Sequence, residues 1–413
     1  MSNPKSTSSI LVSNTSYLVG AEIVAKGSRL FSIMAMAVYF TPTEYGAVML
    51  ALTIHEVLRL LLRSGAGVQI IRASDESLPL FLGNGLLIQW LLCTSLCLIQ
   101  IAIGWSAQWA FPEHDIFALV ALMALTYLAF PAVSTRVFLL QRSNRMGLFS
   151  LISSACIIVE NVTIAVALYF DAHMMAVVIA KWCFALLWLA CFSFVPCLSH
   201  KLSYHKDTFR LLLKSSSQLA ISEILRSLRI NMDTFIAARL LTPELFGIYS
   251  FAKSAGIGLA MSISQAYTSA LYPFICRRAL QNNSDHNSQK LIFITTFAVS
   301  SIFMIQALAV PVYVPILFSS QWQSSFDTTS LLCLVAVSSV WVDTYTTVLR
   351  SEAQYKRDCH FCVFALVVSL LSVAIVMPSS PVQLAVTLLG GSIVWLLFPL
   401  ADITSRYLQP DPA

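Results

Sequence analysis

Residues 80–104 read LFLGNGLLIQWLLCTSLCLIQIAIG, a run without one charged side chain. At ~1.5 Å per residue, a helix of about 20 such residues crosses a hydrocarbon core of ~30 Å. The run therefore predicts a membrane-spanning helix. Eleven further apolar stretches meet or approach that length. They lie at roughly 16–40, 44–64, 115–140, 147–170 and 173–196, then at 213–241, 244–272, 290–318, 327–350, 359–377 and 381–405. Together they predict an all-α polytopic membrane protein of about twelve transmembrane helices.

Composition points the same way. Of 413 residues, 57% are hydrophobic and 11% charged, against roughly 25% charged in a soluble chain. That leaves too little polar surface for a water-facing body. The net charge of +5 does not indicate nucleic acid, because the basic residues lie between apolar runs and form no patch. Six cysteines (Cys93, Cys97, Cys156, Cys183, Cys191, Cys333) sit inside apolar runs, where a thiol behaves as a small hydrophobe. Cys359-His360-Phe361-Cys362 has C-x-x-C spacing but no second ligand pair and no βαβ setting, so packing is expected and no metal or cofactor. Residues 1–15 are polar and Ser/Thr-rich, and the apolar segment after them is too long for a signal-peptide core. It is expected to insert and remain.

The connections carry a charge code. With the N-terminus placed in the cytoplasm, the outer connections are 41–43, 105–115, 170–172, 242–243, 319–326 and 378–381, and they contain no Lys or Arg. The inner ones hold Arg63 and Arg72, then Arg136, Arg142 and Arg145, then Lys201, Lys206, Arg210 and Lys214. Arg277 and Arg278 follow, then Arg350, Lys356 and Arg357. This is the positive-inside rule at every loop, and it predicts both termini in the cytoplasm.

The longest inner connection divides the chain near its midpoint. The predicted domains are an N-lobe over 1–200, a cytoplasmic linker over 201–212 and a C-lobe over 213–413. An internal repeat supports the division. Thr41-Pro42-Thr43-Glu44-Tyr45-Gly46 and Thr242-Pro243-Glu244-Leu245-Phe246-Gly247 stand 201 residues apart, and the same offset relates Glu22 to Glu223 and Ala51 to Ala252. A basic pair at i, i+3 precedes each turn, Lys26/Arg29 and Arg226/Arg229. Locally, Thr caps a helix, Pro suits its first position and Glu faces the positive end of the dipole. Two ordinary helix starts explain the turns, but not the recurring acid and basic pair. A parallel repeat of six helices plus six is expected, with a substrate site between halves near the midplane.

The first sixty-odd residues run helix, turn Pro42-x-x-Tyr45-Gly46, helix, then Gly65-x-Gly67-x-x-Ile70-Ile71-Arg72. Leu228-Arg229-Ile230-Asn231-Met232-Asp233 precedes Phe246-Gly247-Ile248-Tyr249-Ser250 and Tyr272-Pro273. In these motifs and in layout the chain resembles the polysaccharide flippases, Wzx-type O-antigen translocases of the multidrug/oligosaccharidyl-lipid/polysaccharide transporter superfamily. It departs from them at the second outer turn, Leu241-Thr242-Pro243, where members typically carry glycines. The resemblance implies two six-helix, MATE-like lobes in a V around a central cavity, in a bacterial inner membrane. It implies a role in lipopolysaccharide or other polysaccharide biosynthesis. An undecaprenyl-diphosphate-linked oligosaccharide would flip from the cytoplasmic to the periplasmic leaflet by alternating access. Other polysaccharide-assembly membrane proteins are the implied partners, besides the bilayer itself.

Charges inside a bilayer cost about 2.5–3.5 kcal/mol each on insertion scales, so they face a cavity or one another. Lys26, Arg29, Arg226 and Arg229 are the candidate diphosphate ligands, since guanidinium groups bind phosphate through forked hydrogen bonds. Asp233, Glu160 and Asp343 are candidates to couple a proton or sodium ion. Glu22, His55, Glu56, Lys181, Glu223 and Lys253 complete the cavity candidates. Simple i, i+4 neutralisation, Glu22 by Lys26 and Asp233 by Arg229, is the competing reading. Tyr39, Tyr249, Tyr267 and Tyr272 are candidates to stack on sugars or to pack. The small residues Ala252, Gly256 and Ala260 predict close helix packing, and Gly27, Gly104, Pro131, Pro311 and Pro315 are candidate bends.

No G-x-x-x-x-G-K-[ST] loop occurs, so this chain is not expected to hydrolyse ATP. A multidrug exporter of the same superfamily is the alternative function, though acids do not outnumber bases among the buried charges. A membrane polymerase or glycosyltransferase would need a larger outer loop than 105–115. The expectation is a transporter, not an enzyme.

Overall fold

A computed structural model describes residues 24–408, apart from 26, 65, 110–111, 113–115, 144, 197–201, 259–262, 266, 269–270, 273, 276–285 and 353. Among the described residues there is helix and no strand. The helices are α1 (27–39), α2 (Pro42–Leu60), α3 (Gly67–Arg72), α4 (Leu78–Gln108), α5 (Ile116–Ala124), α6 (Pro131–Arg142) and α7 (Met146–Tyr169). They continue as α8 (Met175–Ser193), α9 (Lys206–Leu240), α10 (Pro243–Lys253), α11 (His286–Leu317), α12 (Phe326–Ser351), α13 (Tyr355–Val376) and α14 (Pro381–Leu408).

Helix lies within each of the twelve predicted stretches. Length and apolarity alone give fewer spans: seven among the described residues, or eight if a bent pair counts as one. The difference has a physical cause. Helix α2 carries Glu44, His55, Glu56 and Arg59, and α9 is charged along its length. Elsewhere large apolar side chains stand bare, such as Leu98, Leu308, Ile316 and Ile375, as expected of surfaces solvated by lipid. The protein is a multi-pass membrane protein.

Contacts divide the chain into two compact units, one of 1–39 and 47–231, the other of 40–46 and 232–413. The division falls inside α9, because the start of that helix packs in the first unit. Leu212 and Phe209 join Ala66, Ile70, Leu78 and Leu82 in one apolar cluster.

In the first unit, the bend at Pro131 is realised. The segments Ile116–Ala129 and Pro131–Arg142 meet at 55°, where Pro cannot donate to the preceding turn. Gly104 makes no bend. It lies within the continuous α4, and a Cβ there would stand 2.8 Å from Val120 Cγ1, so the residue serves close packing on α5. The Gly65-to-Arg72 motif forms the short helix α3. Gly67 lets Phe138 approach to 2.4 Å from where a Cβ would be. Arg142 caps the end of α3 through the carbonyls of Ile70 and Ile71, at 3.2 and 3.1 Å, and pairs with Asp75 at 2.6 Å.

In the second unit, both repeated turns start helices as predicted. Thr41 N–H and Oγ1 each donate to Glu44 Oε2 at 2.9 Å, and Glu44 N–H returns to Thr41 Oγ1 at 3.4 Å, a capping box. Thr242 Oγ1 accepts from Leu245 N–H at 3.4 Å. A Cβ on Gly46 would lie 3.0 Å from Gly247 N, and one on Gly247 only 1.7 Å from Pro42 O. The two starts therefore cross backbone to backbone. Beside them Trp322 stacks on Phe251, with centroids 4.1 Å apart, and Tyr45 meets both edge-on. After Lys253 the helix widens into a π-turn, Ser254–Gly258. Its Ala255 carbonyl accepts from Gln306 Nε2 and Tyr313 Oη, both at 3.2 Å, and Gly256 O accepts from Gln306 Nε2 at 3.3 Å.

Candidate functional site

Three helices of the first unit bring four charges together. Glu56 and Arg59 lie on α2, Glu160 on α7 and Lys181 on α8. Lys181 Nζ pairs with Glu56 Oε1 and, at 2.5 Å, with Glu160 Oε1. Arg59 Nη2 pairs with Glu56 Oε2 at 2.9 Å, and its Nη1 lies 3.9 Å from Glu160 Oε2. Each carboxylate thus has one oxygen turned to the ammonium and the other to the guanidinium. The result is a ring of alternating sign, tight on three sides and loose between Arg59 and Glu160. Lys181 is 4% exposed and Glu160 11%, while Glu56 keeps 41%. Arg59 also lies over the Phe184 ring, 5.0 Å from its centroid.

Polar seams flank the ring. Asn161, next to Glu160, donates to Ser28 Oγ at 2.9 Å and accepts from Ser32 Oγ at 3.0 Å, tying α1 to α7. His55 is buried and stacked on Tyr127. Gln100 Oε1 accepts from Tyr127 Oη at 2.6 Å, while its Nε2 donates to Val120 O at 2.8 Å. Because Gln100 Oε1 can only accept, the 3.2 Å contact with His55 Nδ1 requires the proton on Nδ1.

In the second unit, Asp233 uses both oxygens. Oδ2 accepts from Tyr249 Oη at 2.6 Å, and Oδ1 pairs with Lys253 Nζ at 2.7 Å. Lys253 also donates to Thr234 Oγ1 at 2.8 Å. Tyr249 is fully buried by this arrangement, so it packs and is no platform for a sugar. Tyr267 bonds Thr295 and Thr296, and Asp343 accepts from Ser264 at 2.9 Å.

The structure thus joins Glu56, Glu160 and Lys181, and separately Asp233 and Lys253. Arg29 is exposed, and Glu223 and Arg229 are half-buried. Glu22, Lys26 and the Arg226 side chain lie outside the described residues. Sequence reasoning missed Arg59, whose i, i+3 spacing from Glu56 was a usable signal. It also missed Gln100, Tyr127 and Asn161, which are neutral and carry no such signal.

A sequence model described as "polysaccharide biosynthesis protein" matches residues 35–327. No curated protein matches the chain. Among solved structures it resembles a lipid II flippase, MurJ, in an inward closed conformation, with a TM-score of 0.74 at 13% identity over 95% of this chain and 89% of that one. A MOP superfamily transporter from Pyrococcus furiosus gives 0.63 at 12%, over 96% of each chain. An inward-facing MATE family transporter of the MOP superfamily gives 0.59 at 13%, over 95% of each. At such identities these likenesses establish the fold.

Proposed function

Because the chain belongs to the polysaccharide biosynthesis protein family, we propose that it flips an undecaprenyl-diphosphate-linked oligosaccharide, an O-antigen or other repeat unit, from the cytoplasmic to the periplasmic leaflet. The observation that carries this reading is the conjunction of that family with the fold of a lipid II flippase. On this reading the chain meets the demand that lipid II sets its flippase: a large polar head group on a lipid must cross a hydrocarbon layer.

The proposed diphosphate ligands are Lys26, Arg29, Arg226 and Arg229. Lys181, Arg59 and Lys253 are each engaged by carboxylates and stand outside the proposed set. Among the described residues no carboxylate pairs with Arg29. Deleting the gene should make lipid-linked oligosaccharide accumulate on the cytoplasmic face. In the restored strain, Lys at 29 or 229 should keep partial export, having charge without the planar fork. Ala should keep less, and Glu none. Normal export by the Arg29→Ala, Arg229→Ala double variant would defeat the assignment.

The likeness to MATE transporters favours a second reading, a multidrug or toxic-compound exporter of the same superfamily. It predicts that deletion sensitises cells to cationic compounds while leaving lipid-linked sugar unchanged.

A further inference from the structure

We propose that Glu56 and Glu160 form a cation-binding site whose occupant is the chain's own Lys181 ammonium. The first unit then carries its counter-ion covalently and takes no sodium ion at these carboxylates. The idea concerns the charge ring alone and holds or fails whatever the chain transports.

The geometry carries it. Glu56 Oε1 and Glu160 Oε1, from α2 and α7, converge on one point, and Lys181 Nζ from α8 fills that point. Of the remaining two oxygens, Glu56 Oε2 is held by Arg59 at 2.9 Å, so that carboxylate is oriented by the guanidinium as well as by the lysine, while Glu160 Oε2 lies 3.9 Å from Arg59. Two acids and two bases make the ring neutral. Adding a metal ion would leave a net positive charge at membrane depth, which is costly. A solution ion would also have to displace a tethered ammonium whose effective concentration far exceeds that of any solute. Glu160 was a candidate to couple an ion. Its carboxylate already holds one, attached through four methylenes.

The same logic predicts what a vacated site would accept. Removing the lysine side chain leaves a slot lined by two carboxylate oxygens, with net charge −1 once Arg59 is counted. The partial exposure of Glu56 gives a path to it. A primary alkylammonium supplies both the missing N–H donors and the missing methylenes. A quaternary ammonium has no N–H to give. The second unit repeats the device in outline, with Asp233 closed by Lys253 and Tyr249.

The test uses the full chain in detergent and reads its thermal midpoint, with no transport assay. Wild type and Lys181→Ala are each measured in choline chloride, sodium chloride and n-butylammonium chloride at equal ionic strength. Wild type should show the same midpoint in all three. Lys181→Ala should fall by on the order of 10 °C in choline, and butylammonium should restore at least half of the loss. A wild-type midpoint raised by sodium or butylammonium as much as the variant's would overturn the proposal. So would a variant indifferent to every cation. Should Lys181→Ala fail to accumulate, Lys181→Met with Glu160→Gln removes one charge of each sign and keeps the Glu56–Arg59 pair. That double variant should accumulate and ignore the choice of cation. Its failure to accumulate would mean that Lys181 serves packing rather than neutralisation.

Discussion

At the scale of single residues, space and charge partnership decide what can change. A Cβ on Gly247 would sit 1.7 Å from the Pro42 carbonyl oxygen, while one on Gly390 would meet nothing within 4 Å. The obstacle at Gly247 is backbone and cannot rotate away. Gly247→Ala should therefore cost at least about 1–3 kcal/mol and lower the thermal midpoint in detergent. Gly390→Ala should leave the midpoint unchanged. Charge gives a second prediction. Asp233→Asn removes the carboxylate charge opposite the Lys253 ammonium, only 17% exposed, and should cost about 3 kcal/mol. Adding Lys253→Met should return most of that loss. If Asp233 also couples an ion, the double variant will be stable yet no longer respond to dissipation of the gradient.

At the scale of elements, two interruptions of helix are held by different means. At Pro131 the break comes from the chain itself, through a missing N–H. At Ser254–Gly258 the widened turn draws on a neighbouring helix, because Gln306 and Tyr313 donate to the Ala255 and Gly256 carbonyls. Those donors supply side-chain partners to backbone carbonyls at membrane depth, where no water is at hand to do so. Tyr313→Phe and Gln306→Met should each cost about 1 kcal/mol. Their effects should not add, since both side chains donate to Ala255 O. Hydrogen exchange over 254–258 should quicken in both variants. Unchanged exchange there would mean that the turn is held by its own backbone.

At the scale of the whole molecule, the prediction is topological. Reporter fusions after Gly46, Glu113, Asp171, Glu244 and Phe326 should report the periplasm, and fusions after Arg72, Arg145, Lys206, Arg278 and Arg357 the cytoplasm. Two of the predicted outer turns are built tightly. Asp171 and His173 hold positive φ between α7 and α8, and Met377 ends α13 with φ of 45°. Such turns leave a few residues between antiparallel helices, so consecutive spans must alternate in direction. A reproducible inversion in the second half would remove the twelve-helix arrangement.

Most of the architecture was legible in the chain because its signals are local. An uncharged run of sufficient length, a capping Thr with a Glu three residues later, a Pro at the start of a helix and basic residues confined to alternate loops each act over one or two turns. They determined an all-helical membrane protein with repeated helix starts. Only the tertiary structure decided which buried charges meet. Spacing gave no sign that the Asp233 carboxylate meets Lys253 and Tyr249, 20 and 16 residues further along the chain. Lys181 finds Glu56 from 125 residues away, and Arg59, which the sequence reading passed over, completes the ring. The reason is physical. Burial makes an unpaired charge expensive and so demands a partner, but which partner is available depends on which helices lie side by side, and that is settled by packing across the whole fold.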